Sequence, residues 1–483
     1  MQQAIRVYGK ARNRLRLDAS RYRGLGLSGT RLKDWWVSRK AGSIIWFEMY
    51  LLAFFGFARD IVGLPSSVTY LFDLINTFLF VAILVRGKYD NKGRYYPYAI
   101  GWILLFLFTT AIGALIAGNR AILYLWGFRN TFRTYVFFVC CVALLGVQDI
   151  PRIVLFFKRL FFVNIALCIL EYGMGYSGDF IGGSFGMQQG GNSYLNLLFI
   201  ISLALYINEY LSHRTSLFML VTVLLLCCFV IAIAELKAFF FELPAMVALA
   251  VFLERPTARS MILLVVMVLG VAVGLFAMQI FFSEYGINFY TSGAVMKYMG
   301  DSGYTNTGDL SRLNAVRRIT HMFFERDPLK LLFGFGLGNC SGSNFAVLTS
   351  WFYNHYSALH YMWFSDANVY LETGLIGLFF FESFFVLIFI ISRLKRYKNP
   401  DLRVAVNCVS IIAPMAIYLS VYDGSMTLEA GYMAYLFFAI PFILDKYRRP
   451  CTAAAKDVSE KSIVGGAPAR ALRSGEGWSP CES

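Results

Sequence analysis

The chain has 483 residues, of which 58% are hydrophobic and only 15% are charged, and its mean hydropathy is +0.58. This composition excludes a single water-soluble domain, because so much apolar surface cannot be hidden in one core. The net charge of +15 does not indicate a nucleic-acid-binding protein, since Lys and Arg lie between apolar blocks rather than on one basic face.

Apolar blocks of about 16 to 25 residues, separated by short charged stretches, follow one another along most of the chain. A helix of that length crosses a hydrocarbon core of about 30 Å. We therefore predict an all-α polytopic membrane protein with about 12 transmembrane helices. The predicted spans are 43–58, 61–85, 97–117, 134–147, 160–175, 191–207, 216–234, 238–253, 260–282, 367–391, 404–421 and 429–444.

The distribution of Lys and Arg predicts the orientation of these helices. With the N-terminus inside, 33 of the 44 Lys and Arg residues fall in the inside segments. Cytoplasmic loops retain such charges. We therefore expect both termini in the cytoplasm and the large loop on the opposite face.

Five segments follow from this topology. Residues 1–42 form a basic cytoplasmic segment, which we interpret as a topogenic region against anionic lipid, with partner binding as the alternative. Residues 43–282 hold helices 1–9, and 283–366 form the large loop with short helices. Residues 367–444 hold helices 10–12, and the polar tail 445–483 is expected to be disordered.

The cysteines predict neither a metal site nor a disulfide framework. Six of the nine lie inside apolar blocks, two lie in the tail, and only Cys340 falls in the large loop. CxxC spacing is absent from the sequence, so thiolate metal chemistry and a metal cofactor are not expected.

The large loop carries most of the chemistry that the sequence offers. It contains three of the four histidines and several arginines, with an amphipathic segment from Leu310 to Phe323 that predicts a helix. Grouped titratable and anion-binding side chains in one loop of an apolar protein indicate a functional site. The alternative is a solvated loop that is merely polar. These residues are His321, His355, His360, Arg312, Arg317 and Arg318.

Ionisable residues at the ends of the apolar blocks are further candidates. Arg129 and Arg133 are four residues apart, so they share one helical face near the predicted membrane boundary. They face either the bundle interior or, by snorkelling, the lipid headgroups. Glu235 and Lys237 separate two apolar blocks, where they form either a functional site or simply an ion pair.

The string GFGLGN at 334–339 is glycine-rich, but it lacks the spacing of a dinucleotide-binding loop. We expect a tight turn that lets the backbone approach another segment.

Two strings together resemble the signature loop of a known superfamily. They are SRLNAVRRITHMFFERDPLKLLFGFGLGN, from residue 311, and DANVYLETGLIGLFFF, from residue 366. Their order resembles that of the O-antigen ligase and Wzy-type polysaccharide polymerase superfamily: a Ser-Arg element, an amphipathic helix, Pro, a Gly-x-Gly-x-Gly turn, and Glu-x-Gly-x-x-Gly entering a helix.

The resemblance implies a glycosyltransferase of the bacterial inner membrane that acts in the periplasm on a glycan linked to undecaprenyl diphosphate. Arg312 matches the arginine of the Ser-Arg element, and Lys237 stands where members often carry Arg. Both would contact the diphosphate, as fixed cations stabilise a leaving group that gains negative charge. The other candidates for diphosphate binding are Arg129, Arg133, Arg317 and Arg318, and those for proton transfer are His355, His360, Asp366 and Glu372.

Ligases of this superfamily carry a His-Asn pair at the place where this chain has Trp363 and Phe364. This difference favours a polymerase of lipid-linked repeats for exopolysaccharide, capsule or O-antigen. The alternatives are ligation to lipid A core or protein, and transport or flipping of precursors. The expected partners are undecaprenyl-diphosphate-linked oligosaccharide and membrane lipids, with a chain-length regulator and a flippase as further candidates and no nucleic acid.

Overall fold

The computed structural model describes residues 29–86, 93–188, 190–254, 257–281, 308–395, 397 and 399–446. Every regular element within these ranges is a helix, as the sequence predicts. The chain divides into two compact units, Met1–Phe47 and Glu48–Ser483, and the site described below lies within the second. Most of the predicted tail and most of the predicted basic segment lie outside the described residues, and the first two tail residues belong to the last helix, Ile440–Lys446.

The helices are numbered α1 to α16 in chain order. They are α1 Gly29–Val62, α2 Tyr70–Arg86, α3 Tyr96–Ile116, α4 Ala121–Leu144, α5 Ile150–Gly173, α6 Gly191–Leu211, α7 Leu217–Ile233, α8 Phe239–Leu253, α9 Ala258–Phe281, α10 Ala315–Ile319, α11 Pro328–Phe333, α12 Trp351–Tyr356, α13 Ser365–Arg393, α14 Pro400–Tyr422, α15 Gly431–Phe438 and α16 Ile440–Lys446.

Eight segments of the described chain are helical, long enough and apolar enough to cross a membrane. The protein is therefore a helical membrane protein, and its predicted count of 12 spans stays a prediction. The shorter helices α7 and α8 are also apolar. The eight segments are Ala41–Val62, Ser66–Val85, Tyr96–Ile116, Val147–Gly173, Gly191–Leu211, Ala258–Ala277, Ser365–Arg393 and Pro400–Tyr422.

Several predicted spans differ from the helices observed; α1 and α5, for example, begin well before their predicted starts. Helix α4 begins at Ala121, well before the predicted start at residue 134, because Arg129 and Arg133 lower the hydropathy without interrupting the helix. The predicted span 429–444 is divided between α15 and α16, with Ala439 between them.

The described part of the large loop begins at residue 308, and the predicted loop residues 283–307 lie outside the described ranges. Its amphipathic segment continues from α10 into a π-helix, Thr320–Phe324. The wider π turn places Phe324 in the apolar core of the loop, whereas Met322, which we predicted on that face, is exposed.

The GFGLGN string is a tight turn packed against two helices, as predicted. Gly338 has a φ of +87°, and a Cβ atom there would lie 1.8 Å from the carbonyl oxygen of Leu123 in α4. Gly334 also has a positive φ and lies against the backbone at Glu372 in α13. Only glycine allows both the conformation and the close backbone approach.

Candidate functional site

A cavity of about 630 Å³ lies among α1, α2, α6, the α7–α8 turn, the large loop and the segment after α14. Its lining combines three cations, four carboxylates, neutral polar groups and aromatic rings. The charged lining residues are Arg59, Lys237, Arg312, Asp179, Glu235, Asp423 and Glu429. The neutral polar and aromatic ones include Gln188, Asn192, Ser193, Tyr194, Phe185, Trp363, Phe364 and Tyr422.

Lys237 reaches the cavity from the short turn between α7 and α8. Its Nζ lies 2.8 Å from Oε1 of Glu235, so the predicted ion pair forms, and both residues line the cavity. Glu235 has a φ of +55°. This backbone conformation is unfavourable in free energy for any residue other than glycine. The turn therefore holds a strained backbone at the point where it meets the cavity.

Arg312 reaches the same cavity from the large loop. It opens a 3₁₀ turn, and its Nε donates a hydrogen bond of 2.9 Å to the carbonyl oxygen of Tyr422 at the end of α14. The guanidinium also lies 4.4 Å from the centroid of the Tyr422 ring. The structure thus brings together the two residues that the resemblance assigns to the diphosphate, from distant parts of the sequence.

Arg59 is a third cation of the lining, which the sequence reasoning did not consider. It lies in the last turn of α1, where its Nε is 2.8 Å from the carboxylate of Asp60. The sequence contains a sign of this role, because Arg59 lies between the first two predicted spans, on the predicted outer face that also holds the large loop.

Asp423 and Glu429 were also missed, although Asp423 lies between the last two predicted spans and Glu429 is the first residue of the last one. Burial raises the pKa of Asp423 to about 6, against the lowering effects of a bond to Ser425 and of the charge of Arg312. Burial alone would raise the pKa of Glu429 as well, but the charges of Arg133 and Arg129, together with the hydrogen bonds that Glu429 accepts, outweigh it and hold that pKa at about 2. Glu429 is therefore a carboxylate near neutral pH, whereas Asp423 is able to exchange a proton there.

Arg133 and Arg129 face the protein interior and form ion pairs. Arg133 is 7% exposed, donates to Glu429 over 2.6 Å, and donates to the carbonyl oxygen of Thr427. Arg129 donates from Nε to Asp73 over 2.8 Å. Neither arginine is among the described lining residues, and Arg133 meets the cavity through Glu429.

Arg317 and Arg318 lie on α10 in the loop. Arg317 is exposed, and Arg318 donates to the carbonyl oxygen of Asp309 over 3.2 Å. Both are outside the described lining of the cavity, so the structure does not bring them together with Arg312.

The two histidine candidates differ in their distance from the cavity. His360 stacks on Trp363, a lining residue, with ring centroids 4.0 Å apart and a φ of +53°. His355 is exposed on α12, where it stacks on Trp351. The ring of Trp363 thus lies between His360 and the cavity, whereas His355 packs on a different part of the loop surface.

Asp366 and Glu372 are buried in the first turns of α13. One oxygen of Glu372 accepts hydrogen bonds from the hydroxyl of Ser341, over 2.7 Å, and from the backbone N–H of Cys340. Asp366 accepts from the backbone N–H of Ala367. Glu372 thus ties α13 to the polar segment that follows the glycine turn, and neither carboxyl is part of the described cavity lining.

Comparison with known proteins found no matching family model and no matching curated protein.

Proposed function

We propose that this chain is a membrane glycosyltransferase that polymerises lipid-linked oligosaccharide repeats, with the cavity as its active site. The observation that carries the proposal is the meeting of Lys237 and Arg312 at one cavity. The sequence resemblance by itself assigns both residues to a lipid diphosphate. The mixed lining, with cations and carboxylates together, suits a reaction that has an anionic leaving group and an acceptor that loses a proton.

In the proposed reaction, an acceptor hydroxyl of a lipid-linked repeat attacks the anomeric carbon of the donor glycan. The bond between that carbon and the phosphate oxygen breaks, and undecaprenyl diphosphate leaves with both electrons. Fixed cations stabilise the charge that develops on it. Arg312 is the best suited, because it lines the cavity and the planar fork of a guanidinium matches two phosphate oxygens at once.

The acceptor proton requires a base with a pKa near the working pH. His355, His360, Asp366 and Glu372 remain the sequence-based candidates for this role. Asp423 joins them, because it lines the cavity and its pKa is about 6. Glu429 is a poorer base, since a group with a pKa of about 2 gains little by accepting a proton.

The proposal includes a location: a bacterial inner membrane with both termini in the cytoplasm and the cavity open to the periplasm. The excess of Lys and Arg in the predicted inside segments supports it. A topology reporter inserted near residue 300 should be active outside the cytoplasm. Cytoplasmic activity of that reporter would contradict the location and the reaction together.

The function is tested by Arg312→Ala, with Arg317→Ala as the matched control from the same loop. Loss of one group that stabilises developing charge lowers turnover about 10²- to 10³-fold, so R312A cells should carry single repeats instead of long polymer. R317A cells should keep long chains. Long polymer in R312A cells at normal protein levels would refute the proposal.

The same cells separate the polymerase from its nearest alternative, a ligase. Loss of a polymerase leaves single repeats on the acceptor, whereas loss of a ligase leaves polymer on the lipid carrier. Lys237→Ala should reproduce the defect of R312A. Lys237→Arg should retain activity, because it keeps the charge at a position where related proteins often carry Arg.

A further inference from the structure

The described residues of the glycine-rich segment 178–194, which follows α5 and ends in the first turn of α6, form one wall of the cavity. Five of its polar residues belong to the lining: Asp179, Gln188, Asn192, Ser193 and Tyr194. The sequence reasoning assigned nothing to this segment. Its polar groups are mainly amides and hydroxyls, whereas the cations of the lining come from α1, the α7–α8 turn and the large loop.

Buried polar side chains of α5 hold this segment in place. Glu171 is fully buried, and one of its oxygens accepts hydrogen bonds from the backbone N–H groups of Gly182 and Gly183, over 3.1 and 2.7 Å. Asn164, also fully buried, donates to the carbonyl oxygen of Gly182 and to the hydroxyl of Ser184. Burying two polar side chains is favourable only when their hydrogen bonds are made, so these bonds fix the loop.

The segment is also fixed against α1. A Cβ atom at Gly56 would lie 1.7 Å from the carbonyl oxygen of Phe185, so the two backbones touch. Asp60 accepts a hydrogen bond of 2.6 Å from the backbone N–H of Met187. The wall is therefore held from two sides, which is the preorganisation that selective binding needs.

The side chains on this wall have the chemistry that recognises sugars. Asn192 donates to Asp179 over 2.5 Å, and Gln188 donates to Asp60 over 3.2 Å, so the nitrogen of each amide is oriented by a carboxylate. Each amide also has a carbonyl oxygen able to accept from a sugar hydroxyl. The Tyr194 hydroxyl donates to Glu429, a carboxylate held ionised by Arg133 and able to accept further hydrogen bonds.

On this basis we propose that segment 178–194 is the glycan-recognition wall of the cavity, binding the hydroxyl groups of the sugars next to the diphosphate. Asn192 and Gln188 are its selectivity residues, while Arg312 and Lys237 bind the diphosphate itself. The inference rests on the proposed function, because it assigns a different part of the same ligand to a different wall of the same cavity.

The experiment measures binding of two probes to the purified full-length protein in lipid nanodiscs. One probe is undecaprenyl diphosphate. The other is the lipid-linked oligosaccharide that accumulates in cells lacking the gene. The variants are Asn192→Ala, Gln188→Ala and Arg312→Ala, with Asn354→Ala at an exposed position of α12 as the matched control.

N192A and Q188A should each weaken binding of the lipid-linked oligosaccharide about fivefold, which corresponds to one hydrogen bond. Their binding of undecaprenyl diphosphate should stay within about twofold of the wild type, which also shows that the variants are folded. R312A should weaken the binding of both probes, and N354A should weaken the binding of neither.

If N192A and Q188A weakened the binding of both probes equally, or changed the binding of neither, segment 178–194 would not be the glycan-recognition wall. The proposed function would be unaffected by that result. If R312A bound both probes normally, or if no lipid-linked oligosaccharide accumulated in the deletion strain, the proposed function itself would fall.

Discussion

Arg312 and Arg133 look alike in the sequence and have different positions in the structure. Both are arginines on the predicted outer face, Arg133 beside an apolar block and Arg312 in the large loop. Arg312 lines the cavity, held by a carbonyl oxygen and an aromatic ring, whereas Arg133 lies behind the lining and is paired with Glu429. A charge near a membrane boundary therefore does not reveal whether it serves a ligand or a carboxylate until its partner is known.

The largest expected effect concerns the stability of the buried pair. Arg133→Ala leaves the carboxylate of Glu429 without its cation. The free energy of unfolding of the variant should therefore be about 3 to 5 kcal/mol lower than that of the wild type. Thermal unfolding of the purified variants measures the loss. Arg129→Ala should lower the free energy of unfolding by less than Arg133→Ala does, because the pair of Arg129 with Asp73 is more exposed to solvent.

A double variant sharpens this prediction. Arg133→Ala combined with Glu429→Gln should be more stable than R133A alone, since the uncompensated charge is gone. If the double variant lost as much free energy of unfolding as the two single variants together, the two side chains would not depend on each other. Arg312→Ala, by contrast, should unfold within about 1 kcal/mol of the wild type, which separates its loss of activity from a loss of fold.

A smaller effect is expected at Glu372. Glu372→Ala removes the acceptor for Ser341 and Cys340, so unfolding should become easier by about 1 to 3 kcal/mol. Glu372→Gln keeps an acceptor oxygen, and it should retain both the fold and polymer synthesis. A folded E372Q variant that makes no polymer would instead support the catalytic role that the sequence predicted.

The smallest expected effect is a pH dependence of ligand binding. The pKa of Asp423 is about 6, above its usual value, so lowering the pH from 7 to 5 neutralises a carboxylate that interacts with Arg312. The ligand's terminal phosphate titrates over the same range for every variant, so the effect of Asp423 is the difference between the wild type and Asp423→Asn. Relative to D423N, the wild type should gain about threefold in binding of undecaprenyl diphosphate from pH 7 to pH 5, since one repulsive charge is lost; Glu242 and Tyr418 also interact with Asp423.

Apolar content predicted most of the fold, and the exceptions have physical causes. Block length placed helices such as α3, α6 and α14 to within a few residues, because hydrophobic length is what a bilayer requires. The start of α4 was missed, since a buried ion pair lets Arg133 stand inside a helix. The π-helix after α10 was missed because an inserted residue changes the buried face without changing composition.

The candidate site was predictable only in part. Lys237 and Arg312 were candidates from the placement of their charges, and the resemblance to a family assigned both to the diphosphate. Asp423, Glu429 and Asn192 were not candidates, because they reach the cavity from two segments far apart in the sequence, and no local pattern records that they meet. Glu372 is a proton-transfer candidate from its place in a motif, but no local pattern predicted that its hydrogen bonds anchor the segment after the glycine turn.

The most direct measurement uses the purified protein in liposomes with lipid-linked repeat units and without nucleotide. The account predicts longer lipid-linked chains over time, release of undecaprenyl diphosphate in equal number to the bonds formed, and neither product with R312A. Intact single repeats after incubation with folded wild-type protein, or elongation that R312A leaves unchanged, would contradict it.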